Sequence, residues 1–265
     1  MDETLSDDLI AELLELAIEA ARSPSDLIMS GFRSPELAVE KKSDASPVTQ
    51  FDRGAERNIR DFLRARAPRQ WPVLGEEFGA DAGESRYRWV IDPIDGTVGF
   101  TRGLPNFGTL LAFEDRLAGR SLIGVIHLPA ANETYWARRG GGAWCGKERI
   151  RVAPDRAFSD CLISAPPENQ FRLAGTASSL DALRAQSPIL RCFGDCAAHA
   201  MVARGSIDVL AEFNLARWDI AATEVLVEEA GGKVIVRDAR DVRGKYDLII
   251  GNSTNSATVA RLLEF

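Results

Sequence analysis

Trp89-Val90-Ile91-Asp92-Pro93-Ile94-Asp95-Gly96-Thr97 is the stretch that decides how this chain is read. Trp89-Val90-Ile91 reads as a buried strand, and it runs into two carboxylates three residues apart. Left as unpaired ions at a buried strand end, the two would raise each other's pKa and destabilise the fold. A hard divalent cation such as Mg²⁺ removes that cost, because it prefers carboxylate, carbonyl and water oxygens. Gly96-Thr97 adds backbone N–H groups and a hydroxyl at the same place, so metal ligands and anion donors coincide as in a phosphate site. The competing reading is a plain turn, since Pro, Asp and Gly are common turn residues.

Two further acidic signals bear on that choice. Gly75-Glu76-Glu77 follows the apolar run Trp71-Pro72-Val73-Leu74, so a second strand also ends in carboxylates. Ligands of open α/β folds collect at strand ends, which favours a shared metal site over two coincidental turns. The third signal is Asp219, which opens a predicted helix over residues 219–230 with Gly231 in the C′ position. Taken alone, an aspartate at a helix start reads as a cap.

The composition limits what else the chain can be. Its 265 residues suffice for one large domain or two intimately packed halves, and 45% apolar with 27% charged residues is ordinary for a globular protein. A net charge of −7 argues against a general nucleic-acid binder. No apolar run approaches the roughly 20 residues that cross a bilayer, and Met1-Asp2-Glu3-Thr4 lacks the basic start of a signal peptide, which predicts a cytoplasmic protein without a membrane partner. Four cysteines (Cys145, Cys161, Cys192, Cys196) show no CxxC spacing and are expected to be reduced and mostly buried. The two histidines, His127 and His199, are too few for a histidine-based metal site, and His127 falls inside an apolar strand pattern. Acid–base work is left to carboxylates, hydroxyls and metal-bound water.

Periodicity predicts an amphipathic helix over 7–22, capped by Ser6, with Ile10, Leu13, Leu14, Ala17, Ile18 and Ala21 on one stripe. A polar, irregular loop is expected over 39–49, a helix over 51–66, and strands near 71–75 and 87–92. Strands at 108–114, 121–128 and 133–137 suggest an antiparallel meander, and Gly140-Gly141-Gly142 reads as a turn. The remainder alternates: strand 160–165, helix 177–186, strand 189–193, helix 195–204, strand 207–212, helix 219–230, strands 233–237 and 247–251, and a terminal helix. The expected organisation is an N-terminal α+β half over 1–153 and a C-terminal α/β half over 154–265.

Gly75-Glu76-Glu77, Asp92-Pro-Ile-Asp-Gly-Thr97 and Trp218-Asp219, in this order, resemble the inositol monophosphatase superfamily of metal-dependent phosphatases. The likeness extends from Lys42-Ser-Asp-Ala-Ser-Pro-Val-Thr49 to Ala230-Gly-Gly232. It implies a layered α/β/α/β/α sandwich of the inositol monophosphatase/fructose bisphosphatase type, commonly a homodimer. It also implies two or three Mg²⁺ ions held by Glu76, Asp92, Asp95 and Asp219, with the Ile94 carbonyl as a further ligand. Glu77 is either an outer support or a solvated loop charge. Thr49 and Asp52 match the family's Thr-x-x-Asp, whose aspartate pairs with the residue here numbered Thr97. Water activated by the metal would attack phosphorus, with Asp52 through Thr97, or Glu76, taking its proton. The N–H groups of Gly96 and Thr97 would hold phosphoryl oxygens.

Within the superfamily, Val73-Leu-Gly-Glu-Glu-Phe-Gly79, Arg88-Trp-Val-Ile-Asp92, Arg102-Gly-Leu-Pro105 and Gly194-Asp195-Cys196 look most like the histidinol-phosphate phosphatase branch. Histidinol phosphate carries an ammonium, and Asp195 and Glu212 are the candidates to bind it. Their structural readings are a helix N-cap for Asp195 and a strand-end surface charge for Glu212. The inositol branch also places a glutamate at the latter position, so inositol 1-phosphate is the main alternative substrate, ahead of 3′-phosphonucleotides and sugar bisphosphates. A non-catalytic metal- or phosphate-binding module is the alternative from another class, although such a module would be expected to have lost a ligand or Thr97. The chain departs from the family at Val98-Gly99-Phe100, where a polar residue and an Asn usually precede the Phe.

Overall fold

The motif strand, Tyr87–Asp95, lies between Val73–Gly75, to which it runs parallel, and the antiparallel strand Gly108–Asp115. In the computed structural model, which describes residues 4–42, 47–173, 177–186, 189–239 and 242–265, it belongs to an eight-stranded sheet. The predicted meander continues that sheet through Arg120–Leu128 and Glu133–Arg138 to Gly142–Cys145 and Glu148–Ile150. A second sheet of five strands is built from Ile189–Arg191, Leu162–Ser164, Val209–Leu215, Tyr246–Gly251 and Lys233–Asp238, in that order.

Five layers result. Helices Asp7–Arg22 and Gln50–Arg66 cover the outer face of the first sheet. Helices Asp195–Ala203 and Arg217–Glu229 lie between the sheets, and Ala177–Gln186 and Ser253–Leu262 cover the far side of the second. Gly108–Asp115 is buried along its whole length because both sheet faces are covered. The largest apolar cluster sits in the middle, where Val90, Leu110 and Ile126 of one sheet meet Ile220, Val225 and Leu226 of the inner helix and Leu248 and Ile250 of the other sheet.

Local chemistry explains the helix starts. Ser6 accepts the Leu9 N–H at 3.2 Å, with Asp7 and Asp8 in the first turn and Arg22 in the last, favourable at both ends of the dipole. Thr49 and Asp52 form a capping box that begins Gln50–Arg66.

The structure departs from the sequence-based expectation in several places. Val39–Lys41 and Pro47–Thr49 pair antiparallel rather than forming an irregular loop, while residues 43–46 lie outside the described residues. Helices Ser25–Gly31 and Glu168–Leu173 are too short for a helical period to stand out. The inner helix begins at Arg217, and its preceding strand runs on to Leu215. Of the cysteines, Cys161 and Cys196 are buried, but Cys192 is exposed. Among the described residues no helix is long and apolar enough to cross a membrane.

Phe113 anchors the outer core. Its ring lies 4.7 Å from Trp89, 5.0 Å from Trp71 and 5.7 Å from Tyr87, and it is fully buried. Phe113→Ala is expected to cost about 3–5 kcal/mol in denaturant unfolding, the range for emptying an aromatic site that cannot collapse. A loss below ~1 kcal/mol would contradict this account of the packing.

Candidate active site

The strand does not stop at Asp92 but continues to Asp95 through a bulge, with Asp92 opposite Leu110 and Asp95 opposite Gly108. The extra residue accommodates Pro93, which has no N–H for the ladder, and the Pro93 carbonyl accepts the Thr109 hydroxyl at 2.8 Å. Gly96 then takes a left-handed conformation, φ 81°, and caps the short helix Thr97–Thr101. The outcome is two aspartates at the end of an interior strand, neither in an ordinary turn.

Asp219 joins them from the start of the inner helix. It is the third helical residue, so its carboxylate reaches back to accept the Ala216 N–H at 2.6 Å. One oxygen each from Asp92, Asp95 and Asp219 lies within 4.8 Å of the others. Asp92 is buried, and its Oδ1 has no hydrogen-bond partner. A buried anionic oxygen left unpaired among like charges is what a divalent cation satisfies, so the donor set fits Mg²⁺.

Glu76 is brought beside Asp92 by the parallel register, in which Gly75 faces Ile91 and the Glu76 N–H donates to the Ile91 carbonyl. Its carboxylate accepts the Lys42 ammonium at 2.7 Å, and Glu77 accepts the same ammonium at 2.5 Å. Glu77 is therefore not a solvated loop charge: its side chain is 3% exposed. The turn is braced by Glu56, fully buried, which accepts the Glu77 N–H at 2.7 Å and Arg60 Nε at 2.7 Å. A Cβ at Gly75 would lie 2.0 Å from Glu56 Oε1, so only glycine fits there.

Asp52 accepts the Thr49 hydroxyl at 2.6 Å and backbone N–H at 2.8 Å on one oxygen. Its other oxygen accepts Thr97 Oγ1 at 3.2 Å, and the same hydroxyl lies 2.9 Å from the Ile94 carbonyl. Helix cap and motif thus meet at one carboxylate.

Asp195 and Glu212 form a second anionic pair adjoining the first group. Asp195 is the first residue of its helix and Gly194 is the cap, so the N-cap reading fails. Glu212 lies within Val209–Leu215 with its side chain 12% exposed, which excludes a surface charge. The Asp195 N–H donates to Glu212 Oε1 at 3.1 Å. The Cys196 N–H donates to Asp95 Oδ2, which ties the second pair to the first cluster. His199, buried, lies 2.7 Å from Glu212 Oε2 and 2.8 Å from the Thr223 hydroxyl.

Burial dominates the titration of these groups. Burial and then the charges of Glu76 and Asp95 push Asp92 well above the usual carboxylate range; for Asp95 the charges are those of Asp195 and Asp219. Burial also raises Glu76 and Asp219. Asp52 is pushed up to about 6 by burial against its Thr49 bonds, and Asp195 to about 6 by burial and Glu212. Burial alone would lower His199, but the Glu212 carboxylate outweighs it and holds the imidazole above its ordinary value.

The inositol monophosphatase family model matches residues 9–265. The chain belongs to the inositol monophosphatase family. It is 35% identical to a histidinol-phosphatase of Chlorobaculum parvum, over 93% of this chain and 92% of that one. It is 34% identical to a fructose-1,6-bisphosphatase/inositol-1-monophosphatase of Thermotoga maritima, covering 83% of each. The fold matches the crystal structure of the extragenic suppressor protein suhB from Bartonella henselae with a TM-score of 0.82, at 32% identity over 97% of this chain and 99% of that one. As a member of this family of phosphatases, the chain has the α/β fold that the motif order implied.

The structure brings Asp52, Glu76, Asp92, Ile94, Asp95, Gly96, Thr97, Asp195, Glu212 and Asp219 to one edge of the layered fold, where strand ends meet helix starts. Sequence reasoning overlooked the supporting roles of Lys42, Glu56, His199 and Asn106, whose Nδ2 donates to Asp195 Oδ2 at 3.0 Å. Of these, Lys42 lay in the segment that carries the family likeness, and His199, one of the chain's two histidines, falls in an apolar helix.

Folded-state carboxylate pKa values above the unfolded ones mean that the native protein binds more protons, so metal-free stability falls with rising pH. The loss begins near the unfolded value of about 4 and continues through about 6 for Asp52 and Asp195, and higher for the more strongly shifted pair. Calorimetry of the metal-free protein should give a higher melting temperature near pH 5 than near pH 8, with Mg²⁺ restoring more at pH 8. A flat or rising profile without metal would contradict this electrostatic account.

Proposed function

We propose that this chain is a Mg²⁺-dependent phosphate monoesterase that hydrolyses L-histidinol phosphate to L-histidinol and phosphate. The observation that carries the reading is the second carboxylate pair. A cation shared by Asp92, Asp95 and Asp219 leaves Asp195 and Glu212 beside the cluster as an anionic seat for the substrate's ammonium. With His199 protonated, that seat retains one uncompensated negative charge, the complement of one ammonium.

Asp92, Asp95, Asp219 and Glu76, with the Ile94 carbonyl, would hold the ions. Bound Mg²⁺ supplies Lewis acidity toward phosphoryl oxygens and lowers the pKa of water. The remaining work falls to the chain. Gly96 and Thr97 present N–H groups to the phosphate at the start of a helix. The Thr97 hydroxyl, shared between Asp52 and Ile94, passes the proton of the attacking water to Asp52, whose raised pKa suits it to accept. Asp195 and Glu212 orient the leaving alcohol by its ammonium.

A second reading, hydrolysis of inositol 1-phosphate, is favoured by Glu212, which can equally accept ring hydroxyls, and by the likeness to the Thermotoga enzyme. Initial rates with histidinol phosphate, inositol 1-phosphate and a 3′-phosphonucleotide, with and without Mg²⁺, separate the two. Histidinol phosphate is expected to lead by roughly tenfold or more in kcat/KM, equivalent to ~1.4 kcal/mol of selective binding. A clear lead for inositol 1-phosphate would refute the histidinol assignment, and absence of turnover on all three would refute the enzyme. Asp95→Asn should lower Mg²⁺-dependent turnover on the order of 10²–10³-fold with the fold intact by circular dichroism, as for loss of one preorganised transition-state contact.

A further inference from the structure

Gly99 lies in the short helix Thr97–Thr101 that follows the motif, and Asn106 lies just before the strand Gly108–Asp115. A Cβ on Gly99 would lie 2.3 Å from Asn106 Oδ1 and 3.0 Å from its Cγ, so the Asn106 side chain fills the volume that a side chain at 99 would need. From there Asn106 Nδ2 donates to Asp195 Oδ2 at 3.0 Å. Its Oδ1 is buried and has no hydrogen-bond partner. Turning the amide round would aim that oxygen at a carboxylate, so the orphan oxygen is the lesser cost.

Asp195 needs holding. Its backbone is left-handed, φ 61°, and its carboxylate stands among the charges of Glu212 and Asp95. An amide is suited to this task because it fixes one oxygen without neutralising the charge, whereas a Lys or Arg would compete with a cationic substrate.

We infer that Asn106, admitted by the absence of a side chain at Gly99, is a positioning residue for specificity: it fixes the Asp195 carboxylate as the seat for the ammonium of an amino-alcohol phosphate. This rests on the reading that the substrate carries an ammonium. The Gly99 departure from the family pattern thereby has a structural counterpart, a side chain that enters the same volume from residue 106.

The test compares kcat/KM for histidinol phosphate with that for 4-nitrophenyl phosphate, which has no cation, in wild type, Gly99→Ala, Asn106→Ala and the double variant. Each single variant should lower the ratio about tenfold, mainly through KM for histidinol phosphate, and the double variant should fall no further, because both changes remove one contact. Asn106→Ala only deletes atoms, and melting curves check that it folds if Gly99→Ala does not. An unchanged ratio in Asn106→Ala, or additive losses in the double variant, would overturn the inference while leaving the substrate reading intact. A wild type without preference for the cationic ester would overturn both.

Discussion

Everything at the site follows from the cost of collecting carboxylates where water is scarce. Asp92, Asp95, Asp219 and Glu76 converge from two strand ends and one helix start, and burial alone would push each toward protonation. The chain offsets part of that cost with backbone donors at two of the aspartates and with the Lys42 ammonium at Glu76. Ala216 N–H serves Asp219 and Cys196 N–H serves Asp95, each at the N-terminal end of an inner-layer helix. Both helix starts therefore face the cluster, adding their partial positive charge to it. What remains unsatisfied, Asp92 Oδ1 above all, is the oxygen a divalent ion would take.

The layered fold exists in a form that makes this convergence possible. A parallel pairing of Val73–Gly75 with Tyr87–Asp95 is needed to put Glu76 next to Asp92, and it sits in a sheet whose other long pairings are antiparallel. The bulge after Asp92 turns Asp95 toward the same side and admits Pro93. Glu56 and Arg60, buried in the outer helix, hold the Glu76–Glu77 turn from behind. These are charges placed in the interior to fix a loop, where each is hydrogen-bonded and the pair is not left open.

Much of this was legible in the sequence because carboxylates at the ends of apolar runs are costly unless they serve a purpose. Asp92, Asp95 and Glu76 stand out for that reason, and Asp219 becomes informative once it is their third station. The long helices and the meander were legible from period and capping. The strand's passage through Asp92 to Asp95 was not, since Pro and Gly mask a bulge as a turn. Asn106 and Glu56 were illegible for a different reason: their roles depend on the empty space at Gly99 and Gly75, and a glycine shows what it lacks only once its neighbours are known.

Lys42 shows how cation binding and loop position are linked. Its ammonium bridges Glu76 and Glu77, and although burial opposes its charge, those two carboxylates hold it above its ordinary pKa. A metal ion taking Glu76 as a ligand would draw on the same negative charge as the Lys42 ammonium, so each would weaken the other, reciprocally. Asp195 and Glu212 stand outside that competition, bound instead by an amide, a backbone N–H and an imidazole. The molecule thus separates two groups of negative charge, the Asp92, Asp95 and Asp219 cluster and the Asp195–Glu212 pair. On the proposed reading, the first would hold the metal ions and the second would select for the substrate's ammonium.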